Sequence, residues 1–124
     1  MVPSPAVERI SVEEAARRLD AGGDDPVPLL VDVREPAEYA QFRARGAVLM
    51  PLSVFQLRYV QLPRDRPLML ICASGSRSMA AGQFLVHQGF GAVANVEGGS
   101  IAWVRARLPV RTGPPEDGEG DLPA

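Results

Sequence analysis

The sequence predicts an α/β domain built on a central, mainly parallel sheet of about five strands, with helices on both faces. Three observations lead there. Short, mainly apolar runs occur at Leu29–Val33, which holds β-branched residues, and at Ala47–Met50, Leu68–Cys72 and Ala92–Val96. Stretches with helical spacing lie before, between and after them, and strands alternating with helices make parallel sheets. The chain has 124 residues, 46% of them hydrophobic, which suits one domain with one core.

Each element has a local reason. Residues 1–8 read as a lead-in. Ser11-Val12-Glu13-Glu14 is a capping-box pattern, and Val12, Ala15, Ala16 and Leu19 continue on one helical face. Ala21-Gly22-Gly23-Asp24-Asp25-Pro26 closes that helix. The strand Leu29–Val33 leads into Arg34-Glu35, and Pro36 fits the first turn of a short helix ending near Gln41. Ala47–Met50 is the second strand. Ser53-Val54-Phe55-Gln56 is read as another capping box, followed by Leu57 and Val60. Leu68–Cys72 is the third strand. After the loop that follows it, Met79 to His87 is helical and Gly89 stops the helix. Ala92–Val96 is the last strand, and Gly98-Gly99 opens a helix containing Trp103.

Composition narrows the function classes. No apolar run approaches the roughly 18 residues a membrane span needs. Met1-Val2-Pro3-Ser4-Pro5 shows no basic and no apolar segment, so no secretory signal is expected. Cys72 is the only cysteine and His87 the only histidine, so neither an internal disulfide nor a zinc site is expected, and the chain reads as cytoplasmic. All 13 basic residues are arginine, none beyond Arg111. Residues 112–124 carry four acids and no base, and read as a mobile Pro/Gly tail. The remainder holds 13 bases against 11 acids, too weak a bias to predict nucleic-acid binding.

The chemistry concentrates at Cys72-Ala73-Ser74-Gly75-Ser76-Arg77-Ser78. A thiol at a strand end, a tight Gly/Ser loop and an arginine opening a helix make a nest for an anion beside a nucleophile. In an α/β sheet, ligands bind at the carboxyl ends of the strands. The helix N-terminus, the loop N–H groups and Arg77 each favour the thiolate, and an open cup above the sulfur is expected. Small residues at Ala73, Ser74, Gly75 and Ser76 let the backbone turn tightly. Arg43 and Arg45 are either attractors of an anionic substrate or an acidic partner, or ordinary solvated surface. His87 reads as a surface residue and Trp103 as core.

Five segments in order resemble the rhodanese-like family of sulfurtransferases. They are Val31-Asp32-Val33-Arg34-Glu35-Pro36 with Glu38-Tyr39; Gly46-Ala47-Val48 before Pro51-Leu52; Cys72 with Ser74-Gly75 and Arg77-Ser78; Gly89-Phe90 with Val93; and Val96-Glu97-Gly98-Gly99 with Ala102-Trp103. The resemblance spans about residues 8–108 and implies a rhodanese-like domain over residues 9–111. Two departures stand out. Phe42-Arg43-Ala44-Arg45 replaces the family's usual Gly-His-Ile-Pro segment, and Ala73 stands where the family often has arginine.

The resemblance implies sulfur transfer without a cofactor. Cys72 would attack the outer sulfur of thiosulfate, release sulfite and hold that sulfur as a persulfide; 3-mercaptopyruvate or a protein persulfide are the alternative donors. A thiol, cyanide or a protein partner would then take the sulfur. Cys72 and Arg77 are the catalytic candidates. Ala73, Ser74, Gly75, Ser76 and Arg77 are the substrate-binding candidates, and Asp32, Arg34, Glu35, Gly98 and Gly99 the supporting ones. Four residues separate Cys72 from Arg77; the superfamily's phosphatases and arsenate reductases use five, so that chemistry ranks lower. A non-catalytic interaction module is the other alternative. With no second cysteine, the sulfur must leave to an external acceptor.

Overall fold

The computed structural model describes residues 6–21 and 26–123. In chain order the elements are β1 (Glu8–Ile10), α1 (Val12–Asp20), β2 (Leu29–Asp32), α2 (Pro36–Gln41), β3 (Phe42–Ala44), β4 (Val48–Leu49), α3 (Leu52–Arg58), a 3-10 turn (Tyr59–Gln61), β5 (Leu68–Ile71), α4 (Ser76–His87), β6 (Val93–Val96), α5 (Gly99–Arg105) and β7 (Val110–Thr112). Five strands form one sheet in the order β1-β6-β5-β2-β4, parallel at every pairing. β5 is central, so the loop after it opens at the middle of the sheet's carboxyl edge.

Alternation along the strands decides which face each residue serves. Leu29, Val31, Leu68, Leu70, Cys72 and Val93 join one apolar cluster with Phe55 of α3 and Ala81 and Leu85 of α4. Leu30, Met69, Ile71, Ala94 and Val96 join the other with Val12 and Ala15 of α1, Tyr39 of α2 and Trp103 of α5. Strands covered on both faces explain why these runs are apolar at nearly every position rather than alternating, with Asp32 and Asn95 as the buried exceptions. The same parity turns Cys72 toward α4.

Several local expectations meet a different structure. Glu8–Ile10 is an edge strand, paired with Ala94–Val96, rather than the end of a lead-in; a three-residue run carries no periodicity to reveal it. Ser11 does cap α1, accepting from Glu14 N at 3.0 Å. Ser53 does not cap α3, which begins at Leu52 with Pro51 as its cap residue. Instead, Ser53 Oγ donates to Glu35 Oε1 at 2.7 Å, so a carboxylate from another segment serves that helix end. The Gly22–Asp25 helix stop and Met1–Pro5 fall outside the described residues.

The tail is the larger correction. β7 pairs antiparallel with β3, Phe42 opposite Thr112. Beyond it the chain folds back: Gly120 O accepts from Leu49 N at 2.8 Å, and Leu122 packs against the apolar cluster that holds Phe55 and Leu85. Arg43, only 2% exposed, donates to Glu119 Oε1 at 2.8 Å and to Gly113 O at 2.7 Å. A buried guanidinium needs a carboxylate, and the acidic tail supplies it. Arg43 is therefore neither free surface nor available to attract substrate, whereas Arg45 is exposed.

Candidate active site

Cys72 follows the last residue of β5, and the loop turns at Gly75, whose φ of +110° suits a residue without a Cβ. Gly75 N donates to Cys72 Sγ at 3.1 Å, and Ser78 Oγ lies 3.3 Å from the same sulfur. Burial pushes the Cys72 thiol up. Hydrogen bonds from the Ser78 hydroxyl and from the N–H groups of Ser78, Gly75 and Ser74 outweigh it, and leave the thiol below its ordinary value. The sulfur sits against the N-terminus of the 12-residue α4, where the helix dipole acts in the same direction.

The sulfur is not at the floor of an open cup. Cys72 is 0% exposed, and its neighbours Ser74 and Ser76 form the outer surface of the loop. The short loop wraps its own amides around the sulfur and so covers it. Two clefts lie away from the sulfur: one of about 750 Å³ is lined by Val7, Arg9, Met79, Gln83 and His87, another of about 530 Å³ by residues of α3 and α4.

Arg77 does not turn its guanidinium to the sulfur. It forks onto Glu38 of α2, with both terminal nitrogens 2.8 Å from the two carboxylate oxygens. The bidentate pair holds Glu38 down at about 2, chiefly through those hydrogen bonds. The same bonds raise Arg77 further, so it stays cationic. The pair ties the cysteine loop to α2. Sequence reasoning missed Glu38 as a site residue, because a partner 39 positions away leaves no local signal.

Asp32 and Arg34 form a buried ion pair below the loop, at 2.9 Å. Arg34 also donates to Phe42 O at 2.6 Å, and its guanidinium lies 5.0 Å from the centre of the Phe42 ring. The pair fixes the turn out of β2 against β3. Glu35 N donates to Glu38 Oε1 at 3.1 Å, while the Glu35 carboxylate accepts from Ser53 Oγ at 2.7 Å. None of these three touches the sulfur; they hold α2, and α2 holds Arg77.

Gly99 explains the Gly-Gly pair. Ser100 N donates to Cys72 O at 2.8 Å and Ile101 N to Ala73 O at 3.1 Å, so α5 starts directly on the cysteine loop. A Cβ on Gly99 would collide with Cys72 O and come within 2.6 Å of Ala73 O. One on Gly98 would meet Ala102 Cβ at 2.6 Å. Ser100 Oγ, buried with no hydrogen-bond partner among the described residues, lies on the same turn. Sequence reasoning also missed Asn95. It is fully buried on the α4 side of β6, and reaches Ser78 Oγ and Gly75 O.

A family model described as rhodanese-like domain matches residues 11–106. A protein named sulfurtransferase from Allochromatium vinosum is 40% identical over 104 residues, covering 84% of this chain and 94% of that one. Among solved structures, a rhodanese-related protein from Thermoplasma volcanium superposes with a TM-score of 0.74 at 31% identity, over 84% of this chain and 97% of that one. A rhodanese-like domain protein from Staphylococcus aureus gives 0.69 at 29%, over 78% and 91%. The parallel sheet, the cysteine loop at its centre and these matches agree, and the chain belongs to the rhodanese-like domain family.

Proposed function

We propose that this protein transfers a sulfane sulfur through a persulfide on Cys72, with thiosulfate as a competent donor. The observation that carries the reading is the sulfur's ring of donors: Gly75 N at 3.1 Å, the Ser78 hydroxyl at 3.3 Å, and the N–H groups of Ser74 and Ser78. Such a ring stabilises a sulfur anion before attack, and again when it is displaced. In the first half-reaction the thiolate attacks the outer sulfur of thiosulfate, the S–S bond breaks, and its electron pair leaves with sulfite. In the second, a thiolate or cyanide attacks the outer sulfur of the persulfide and Cys72 regains its charge. Two half-reactions through one covalent intermediate give ping-pong kinetics.

The covered sulfur sets a condition. A donor reaches Cys72 only when the exposed side chains of Ser74 and Ser76 swing aside and uncover the sulfur, the loop N–H groups staying in place. Arg77 joins the catalytic step if it exchanges Glu38 for the anionic donor; otherwise it is a support. The loop N–H groups of Ala73, Ser74, Gly75 and Ser76 are the donors such a substrate would meet.

The test is a thiosulfate–cyanide assay on wild type and Cys72→Ser, with intact-mass measurement after thiosulfate alone. Turnover in wild type, none in the variant, and a gain of one sulfur atom on Cys72 support the reading. The full burial of Cys72 favours a second reading, a non-catalytic interaction module. Silence in both proteins with no mass gain adopts it.

A further inference from the structure

Asn95 faces α4 from β6, and its amide orientation follows from its neighbours. Nδ2 lies 3.1 Å from Gly75 O and 2.5 Å from Glu97 Oε2. A carbonyl and a carboxylate only accept, so the amide nitrogen must stand between them. Oδ1 is thereby turned to Ser78 Oγ, 2.5 Å away. An amide oxygen also only accepts, so the Ser78 hydroxyl gives it its one hydrogen. The lone pairs of Ser78 then face Cys72 Sγ at 3.3 Å, where they suit an S–H donor rather than an anion. Once Cys72 ionises, that one hydrogen has two claimants, Asn95 Oδ1 and the sulfur.

We propose that Asn95 and Ser78 are a positioning pair that sets how readily Cys72 carries charge, Asn95 drawing the Ser78 hydroxyl hydrogen away from a neutral thiol and yielding it to the anion. The pair acts through Cys72 and so rests on the reading of that residue as the nucleophile. It matters most in the second half-reaction. The acceptor's electron pair takes the outer sulfur, the S–S bond breaks, its pair returns to Sγ, and the Ser78 hydroxyl turns to meet the new charge. The charged groups around the sulfur are Arg77 of α4, Glu38 of α2 opposite it, the Asp32–Arg34 pair from β2, and Glu97 beyond β6 behind Asn95. None of them competes for the Ser78 hydrogen.

The test titrates the thiolate by its ultraviolet absorbance in the full chain, with Cys72→Ser as the blank. Because Cys72 is the only cysteine, the difference signal belongs to it alone. Ser78→Ala removes the donor and raises the midpoint by about one pH unit. Asn95→Leu frees the hydroxyl for the sulfur and lowers the midpoint. Ser78→Thr keeps a hydroxyl and restores the wild-type value. Opposite shifts in two touching residues are not what a loosened loop gives. An unchanged midpoint in Ser78→Ala, or upward shifts in both, overturns the proposal. Should Asn95→Leu fail to fold by circular dichroism, the Ser78→Ala and Ser78→Thr pair decides it. The measurement needs no turnover, so opposite shifts without any sulfur transfer would keep the pair and discard the sulfurtransferase reading.

Discussion

Glu38 on α2 and Arg77 on α4 meet through two parallel 2.8 Å hydrogen bonds, although 39 positions separate them. The contact fastens the cysteine loop to a helix that the Asp32–Arg34 pair steadies from below. Rigidity in the loop and rigidity in α2 are therefore one property.

Breaking that contact has a pH signature. The fold holds Glu38 at about 2 against 4.5 for the free group. The stabilisation is fully present above pH 4.5 and fades as pH falls toward 2. Both side chains are about one-third exposed, so solvent screening keeps the contribution to about 1 kcal/mol. Urea melts of Glu38→Gln should show that deficit at pH 7 and approach wild type near pH 2. A constant deficit across the range would assign the loss to packing instead.

The tail contact behaves alike, with a deeper consequence. Glu119 is also held at about 2, first by its hydrogen bonds to Arg43. Removing residues 113–124 leaves Arg43 buried without its carboxylate and Leu49 N without its acceptor. A loss of about 3 kcal/mol is expected at neutral pH. Glu119→Gln should lose less, and its deficit should shrink as pH falls from about 4.5 to 2. Thermal melts that leave the truncated chain at the wild-type midpoint would mean the tail is not held.

Gly99→Ala tests how closely α5 rests on the loop. The new Cβ meets the backbone of Cys72 and Ala73 at a residue whose φ is +60°. Backbone atoms cannot move aside as a flexible side chain would. The variant should be destabilised by about 3 kcal/mol and lose persulfide formation along with it. A stable, active Gly99→Ala protein would show that the two segments separate freely.

The pH–rate profile of sulfur uptake should follow the Cys72 thiolate. The rate rises with pH and then levels off, with a midpoint below that of an ordinary thiol, because hydrogen bonds at the sulfur outweigh its burial. Iodoacetamide labelling of the lone cysteine reads the same midpoint. A rate still climbing above pH 9 would contradict it.

The sequence by itself determined the class of fold and the place of its chemistry. The runs Leu29–Val31 and Leu68–Cys72 are apolar throughout because helices cover both faces, and that pattern is visible before any folding. Cys72, the turn at Gly75 and the helix that follows are adjacent in the chain, so local geometry alone makes the nest. Only the tertiary structure decided what Arg77, Arg43 and Asn95 do. Their partners, Glu38, Glu119 and Ser78, lie 39, 76 and 17 positions away. A charged or amide side chain looks the same in sequence whether it faces water, a substrate or a buried partner, and packing makes that choice. The same holds for the tail, whose acidic composition signals solubility until a buried arginine is found beneath it.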